Sequence, residues 1–462
     1  MYSISFKSVM VVVTGFLVLF LLAAFPSTAF AQPFVVVSSY PADGSVNIPT
    51  LVTFELSFSE PLDVSAVFPE PGEFFLGLLL PGEDSMGEPD SISLSPDLKT
   101  VRFHNIQLQE NTKYLIGVTA ARSQTGKPLE SPWLINFSTG SALPTGQITG
   151  NVSFAEGELS NCLAVAFDNL FADEGPVGAA VVDKNSGDFS IPYLDSGSYL
   201  IFAIKDSSRN GSYNPFGEME PFGAYDQNLD QIPDSVHLSD GQIFSGVDIL
   251  MQLSQLKTAR DYLVDADQFA LAWQPDAALS LLMTENLQVD GTSNFWFFLY
   301  GSAAARRSYL FFLLNGYLFS LGDDEIPDYE DFPPLPDEWI DSDLAADSAL
   351  VNGGQSFLND YPEANIQAWL QMYHEGEPKT LLNRSFNFSF QKKKLFRPHS
   401  LKRSVSDSLA VWAIVFYDEG SGSHLTLLLD AVSGSLIQSW IEGEPTSARE
   451  NLATANQAAF SW

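Results

Sequence analysis

The sequence predicts a multidomain, mainly β protein: two β-sandwiches followed by two small α+β units. Three observations predict it. The chain has 462 residues, enough for three or four modules of roughly 100–150 residues each. From Phe34 to about Leu253, short apolar runs are punctuated by turns bearing Gly and Pro. After Leu253 the apolar spacing becomes helical, and a helix followed by aromatic strands occurs twice. Hydrophobic residues make up 45% of the chain against 17% charged, which fills several cores and excludes a wholly disordered chain despite a formal charge of −35. That acidity also argues against nucleic acid as a partner, because a phosphate backbone would be repelled by most of the surface.

Lys7 precedes the apolar run Val9–Phe25, and Ala29-Phe-Ala31 follows it. A positive start, an apolar middle and an A-x-A exit read as a secretory signal over residues 1–31, cleaved after Ala31. An uncleaved N-terminal anchor is the alternative, since the run is slightly long for a signal, although slightly short for a comfortable membrane span. No later run approaches membrane length, so no transmembrane segment is expected after cleavage, and the chain is expected outside the cytoplasm, in the periplasm, at the cell surface or extracellular. The single Cys162 excludes an internal disulfide framework.

In residues 34–140, Leu51-Val-Thr-Phe-Glu-Leu-Ser-Phe places Val52, Phe54, Leu56 and Phe58 on one strand face. Tyr114-Leu-Ile-Gly-Val and Trp133-Leu-Ile-Asn-Phe read as further strands, and about seven strands in this length imply a sandwich. The segments Tyr40-Pro-Ala-Asp-Gly-Ser-Val-Asn-Ile, Leu56-Ser-Phe-Ser-Glu-Pro-Leu-Asp63, Leu108-Gln-Glu-Asn-Thr-Lys-Tyr114 and Phe137-Ser-Thr-Gly140 occur in order. Together they resemble the bacterial Ig-like domains of surface-layer proteins. The resemblance implies a spacer or binding module, with no catalytic residues to carry over.

Residues 146–253 form a second β-rich block, with Gly187-Asp-Phe-Ser-Ile-Pro-Tyr-Leu-Asp-Ser-Gly-Ser-Tyr ahead of a core strand. Phe189, Ile191 and Leu194 are expected to face inward and Gly197 to turn the chain. This pattern is similar to the transthyretin-like or carboxypeptidase-regulatory-like sandwich, which implies an accessory role.

A helix is expected over Ala259–Leu271. The later sequence is duplicated: Trp273-Gln-Pro-Asp-Ala-Ala-Leu279 parallels Asp360-Tyr-Pro-Glu-Ala-Asn-Ile366, and Phe295-Trp-Phe-Phe-Leu-Tyr300 parallels Val411-Trp-Ala-Ile-Val-Phe-Tyr417. The helix, Trp strand and Asp430-Ala-Val-Ser-Gly434 turn resemble the PepSY family. Two units follow, 256–322 and 348–442, the second with a basic insertion at 376–404. An acidic, Pro-rich linker at 323–347 separates them, and 443–462 is a tail.

No G-x-S-x-G, H-E-x-x-H or phosphate-loop motif occurs, so no enzyme is expected and no catalytic residue is assigned. His104, His237, His374, His399 and His424 lie in separate segments, without a second His at ligand spacing. Cys162 sits in an apolar strand and reads as an inert thiol. The aromatic runs Phe295–Tyr300 and Tyr309–Phe312 read as core strands, with a carbohydrate platform as the alternative.

Asp206, Ser208 and Asn210 alternate before Gly211 like the front of a calcium loop, where hard oxygens surround a tight turn. Asp226, Asn228 and Asp230 repeat the alternation. One calcium ion held between both loops is the cofactor this suggests; polar turns without metal are the alternative. Lys392, Lys393, Lys394, Arg397, Lys402 and Arg403 either bind an anionic partner or pair with the chain's own acids. The expected function is that of an exported, non-catalytic scaffold, adhesive or ligand-binding protein whose partner is a cell-surface protein or glycan. The rival readings are a regulator of an exported peptidase, implied by the PepSY resemblance, and a hydrolase with an unrecognised site.

Overall fold

The computed structural model describes residues 32–64, 77–79, 89–169, 175–211, 213, 219–322, 333–374, 408–418 and 420–442. The expected signal, the first part of the linker, the basic insertion and the tail lie outside these residues. The protein is mainly β and consists of several modules.

The first module contains β1 (Val36–Tyr40), β2 (Leu51–Phe58), β3 (Gly77–Leu79), β4 (Ser91–Leu94), β5 (Thr100–Gln107), β6 (Lys113–Ala120) and β7 (Trp133–Ser138). They form two sheets, ordered β1-β2-β5-β4 and β3-β6-β7. Val52, Phe54, Leu56 and Phe58 are buried and their neighbours on β2 are not, as period-two alternation on a one-sided sheet requires. Tyr114 stacks on Phe137 in one sheet, and Phe54 from the other meets Phe137 edge-on at 5.6 Å between ring centroids.

The second module contains β8 (Gly146–Phe154), β9 (Cys162–Phe167), β10 (Gly178–Val181), β11 (Asp188–Leu194), β12 (Gly197–Lys205), β13 (Phe222–Ala224), β14 (Ser235–Leu238) and β15 (Ile243–Met251). One sheet runs β10-β9-β12-β13, with β14 also on β12, and the other β11-β8-β15. Phe189, Ile191 and Leu194 are buried between them. Gly150 on β8 has to be glycine, because a Cβ there would lie 1.8 Å from the Val247 carbonyl oxygen of the bulged neighbour β15.

The third module opens with α1 (Ala259–Trp273), then β16 (Ala278–Thr284), β17 (Phe295–Ser302), β18 (Arg307–Leu314) and β19 (Tyr317–Gly322). The plan then repeats: α2 (Ser342–Ala349), a π turn (Leu350–Gly354), α3 (Gln355–Asp360), β20 (Asn365–His374), β21 (Ser408–Asp418), β22 (Ser423–Asp430) and β23 (Leu436–Glu442). Equivalent tryptophans make equivalent bonds. Trp296 on β17 donates its indole N–H to the Lys257 carbonyl, two residues before α1, and Trp412 on β21 donates to the Ile340 carbonyl, two residues before α2. Each indole pins the entry of its own helix onto the sheet.

Two expectations are corrected here. The two α+β units are one body, an antiparallel sheet ordered β19-β18-β17-β16-β20-β21-β22-β23, joined through the first strand of each repeat. Left apart, β16 and β20 would each expose an unpaired edge, and pairing removes both. Nor is 323–347 a linker throughout. Leu335 N–H donates to the Leu279 carbonyl at 2.8 Å, Trp339 is buried beneath the Arg260 guanidinium, and α2 begins at Ser342. The charges of this stretch are conspicuous, but its few apolar side chains decide where it goes. Asp341 fastens it further, since Oδ1 accepts N–H bonds from Ser342 and Arg260, at the starts of both helices.

The modules are fused. On β17, Trp296, Phe298 and Tyr300 face the helices, whereas Phe295 and Phe297 face the opposite side. On that side they join Phe312 and Phe319 of the third module, Leu163, Val165, Phe202 and Phe222 of the second, and Leu115 of the first, in one apolar cluster. Phe202 and Phe222 approach Phe319 at 5.9 and 6.3 Å between ring centroids, and Leu318 N–H donates to the Gln231 carbonyl. The first module is latched to the second by Lys113, whose Nζ donates to the carbonyls of Val177 at 2.7 Å and Tyr193 at 2.8 Å. Burial holds the Lys113 pKa below its ordinary value, partly countered by Asp195 and Asp168. Tyr193 takes φ 59°, a conformation rare for a bulky residue, at the site that offers its carbonyl to Lys113.

Phe319→Ala should therefore cost about 3–5 kcal/mol by emptying a ring-sized volume between modules. Urea unfolding followed by tryptophan fluorescence measures it, with Val264→Ala on the exposed face of α1 as control. A cost equal to the control would mean that the rings touch without cementing the modules.

Candidate functional site

The two acidic loops of the second module are the most functional-looking feature of the described residues, and the β12–β13 ladder sets their geometry. Phe202 pairs with Ala224 and Ile204 with Phe222. Continuing this register puts Asp206 opposite Glu220 at one end, and at the other Asp226 follows directly on the bond from Tyr225 N–H to the Ile201 carbonyl, beyond which β14 takes over as the partner of β12. Six residues of strand separate the two ends, about 20 Å at roughly 3.3 Å per residue. One ion between both loops is therefore excluded by the register, and the loops are separate sites.

At the first end, Asp206 and Glu220 are both buried. Asp206 Oδ1 accepts from Ser208 Oγ at 3.1 Å and from Asn210 N–H at 3.2 Å, and its Oδ2 accepts from Gly211 N–H at 2.8 Å. Glu220 Oε2 accepts from Ser207 N–H at 2.8 Å and Oε1 from Ser208 N–H at 3.3 Å. Two carboxylates thus grip one turn from opposite strands. Sequence spacing missed Glu220, because a linear motif looks for the closing acid inside the loop and here the strand ladder delivers it. At the second end, Asp226 Oδ2 accepts from Gln231 N–H, Asn228 Oδ1 from Asp230 N–H, Asp230 Oδ1 from Ile232 N–H and Asp234 Oδ2 from Gln227 N–H. Among the described residues, no three of Asp, Glu, His or Cys gather in a metal-holding group.

The remaining candidates scatter. Lys392, Lys393, Lys394, Arg397, Lys402 and Arg403 lie outside the described residues. His104 Nε2 sits 2.7 Å from Ser93 Oγ in the first module, and His237 Nδ1 2.7 Å from Ser198 Oγ in the second. Cys162 is fully buried, with Sγ 3.9 Å from Met251 Sδ, and burial pushes its thiol up to about 12, so it stays protonated and unreactive at neutral pH. A cleft of about 580 Å³ lies between the first two modules, lined among others by Asp43, Trp133, Asn136, Asp188 and Phe189. Its acids are engaged: Asp43 Oδ1 accepts from Asn136 N–H and Asp188 Oδ1 from Asn151 Nδ2.

Glu285, just past β16, was not singled out from the sequence. Burial raises its carboxyl to about 7. The unfolded chain ionises near 4.3, so between about 4 and 7 the folded protein holds a proton that the unfolded one releases. Stability should fall as pH rises through that window. Glu285→Gln should remove this slope, melting above the parent at pH 8 and beside it near pH 4; parallel melting curves across the range would contradict the assignment.

Among solved structures, a putative lipoprotein from Clostridium difficile 630 is similar over 39% of this chain and 92% of that one, at 12% identity and TM-score 0.24. The N-terminal part of the bacterial S-layer protein SbsC is similar over 39% of this chain and 42% of that one, at 15% identity and TM-score 0.18. Domains 1–6 of the surface layer protein SbsC are similar over 63% and 40%, at 12% identity and TM-score 0.18. The chain thus spans less than half of either S-layer structure, and scores this low carry nothing about function. No curated protein matches the sequence. Residues 31–139, the first module, match the model of the bacterial Ig-like domain.

Proposed function

We propose that the chain is a non-catalytic modular scaffold of the outer face of a bacterial envelope or of the extracellular space, presenting its modules to a cell-surface protein or glycan. The match of the N-terminal module to the bacterial Ig-like domain supports the location and the modular character. The observation that carries the mechanical part is the apolar cluster shared by all three modules. Buried contact of this kind holds modules at fixed angles, whereas a chain meant to flex keeps small, polar joints between them. No helix among the described residues is long and apolar enough to cross a membrane.

Protease treatment of intact cells of the producing bacterium tests the location. The tagged protein should be digested without lysis, and the purified protein should sediment with the washed envelope fraction. Protection until lysis would overturn the proposal.

A further inference from the structure

We propose that the base of the loop closed by Asp206 and Glu220 binds a calcium ion. The two carboxylates face each other across the ladder that ends at Lys205, whose N–H donates to the Pro221 carbonyl. They are 1% and 2% exposed. Among the described residues neither forms an ion pair, and the adjacent Lys205 turns its Nζ to the Ser160 carbonyl at 2.6 Å. Their hydrogen-bond donors are backbone N–H groups and one serine hydroxyl of the same turn. These soften the burial of two like charges without neutralising them, and among the described residues Asp206 Oδ2, Glu220 Oε1 and Glu220 Oε2 each accept a single bond and keep a lone pair.

An independent observation points to something bound between them. The Tyr213 hydroxyl is sealed from solvent and, among the described residues, has no hydrogen-bond partner. It lies within the field of both Asp206 and Glu220, and burial, then those charges, raise its pKa well above normal. A phenol O–H beside two carboxylates would ordinarily donate to one of them. Here the Tyr213 hydroxyl, near both carboxylates, makes no such bond.

The donor set selects the ion. The carboxylates of Asp206 and Glu220 and the hydroxyl of Tyr213, with the Ser208 hydroxyl and Asn210 amide available from the same turn, are hard oxygen donors of the kind calcium takes in its flexible six-to-eight-fold sphere, whereas magnesium demands a strict octahedron. Zinc would want His or thiolate, and Cys162 nearby is held protonated. The Asp226 loop lies at the other end of the ladder and takes no part.

Terbium, which replaces calcium and emits when a tyrosine close to it is excited, reports the site in the full-length protein after EDTA treatment. Sensitised emission should appear, be displaced by calcium but not by an equal concentration of magnesium, and persist in Asp226→Asn. Tyr213→Phe should remove most of the emission while calorimetry still detects calcium binding. Glu220→Gln should weaken calcium at least about tenfold, since ligand charge tunes affinity. Without calcium this variant should melt no lower than the parent, and only its calcium-induced rise should vanish. A merely structural Glu220 would instead lower melting with and without the ion. Absence of sensitised emission, calcium affinity unchanged in Glu220→Gln, or equal displacement by magnesium would each overturn the assignment.

Discussion

The architecture depends on an apolar seam between the second and third modules. A sheet buried on one face needs alternating polar and apolar residues, and β17 has none of that alternation: Phe295 to Tyr300 are all buried. Trp296, Phe298 and Tyr300 pack into the core with α1, and Phe295 and Phe297 pack against Phe202 and Phe222 from the neighbouring sandwich. Removing the second module would leave Phe295, Phe297, Phe312 and Phe319 bare, a patch of the size that drives association. The modules are therefore folded against one another and are not independent beads on a string.

Within the third module the same logic operates between repeats. Each helix covers four strands, and the first strand of each would be an exposed edge alone. Pairing β16 with β20 makes one continuous sheet and one continuous core, in which Trp296, Trp339 and Trp412 meet edge to face. The indole hydrogen bonds to Lys257 and Ile340 then fasten the entry of each helix to that sheet.

Much of this was legible in the sequence, because period-two alternation is a local property. Val52 to Phe58 and Phe189 to Leu194 declare their buried faces without reference to the rest of the chain. The duplication was legible for the same reason, since Trp296 and Trp412 sit in matching apolar runs. What escaped were relations between distant segments. Trp339 lies among acids and prolines, and its burial comes from the Arg260 stack and the edge-to-face contact with Trp412 in the shared core. The single body formed by the two repeats follows from edge pairing, which no residue pattern announces. Asp206 and Asp226 are 20 positions apart with matching spacing, yet the strand register sends them to opposite ends of one ladder, while Glu220 arrives beside Asp206 with no motif to mark it.

For a scaffold, fixed geometry between modules is the property that matters, and the seam supplies it. Cys162 is buried and protonated, so labels can be placed elsewhere without removing it. Spin labels at Leu250→Cys on the second module and Val351→Cys on the third, both exposed positions, allow the distance between modules to be measured by pulsed electron resonance. A single narrow distance is predicted, broadening when Phe319→Ala is added. A broad distribution in the protein without that substitution would contradict the rigid seam.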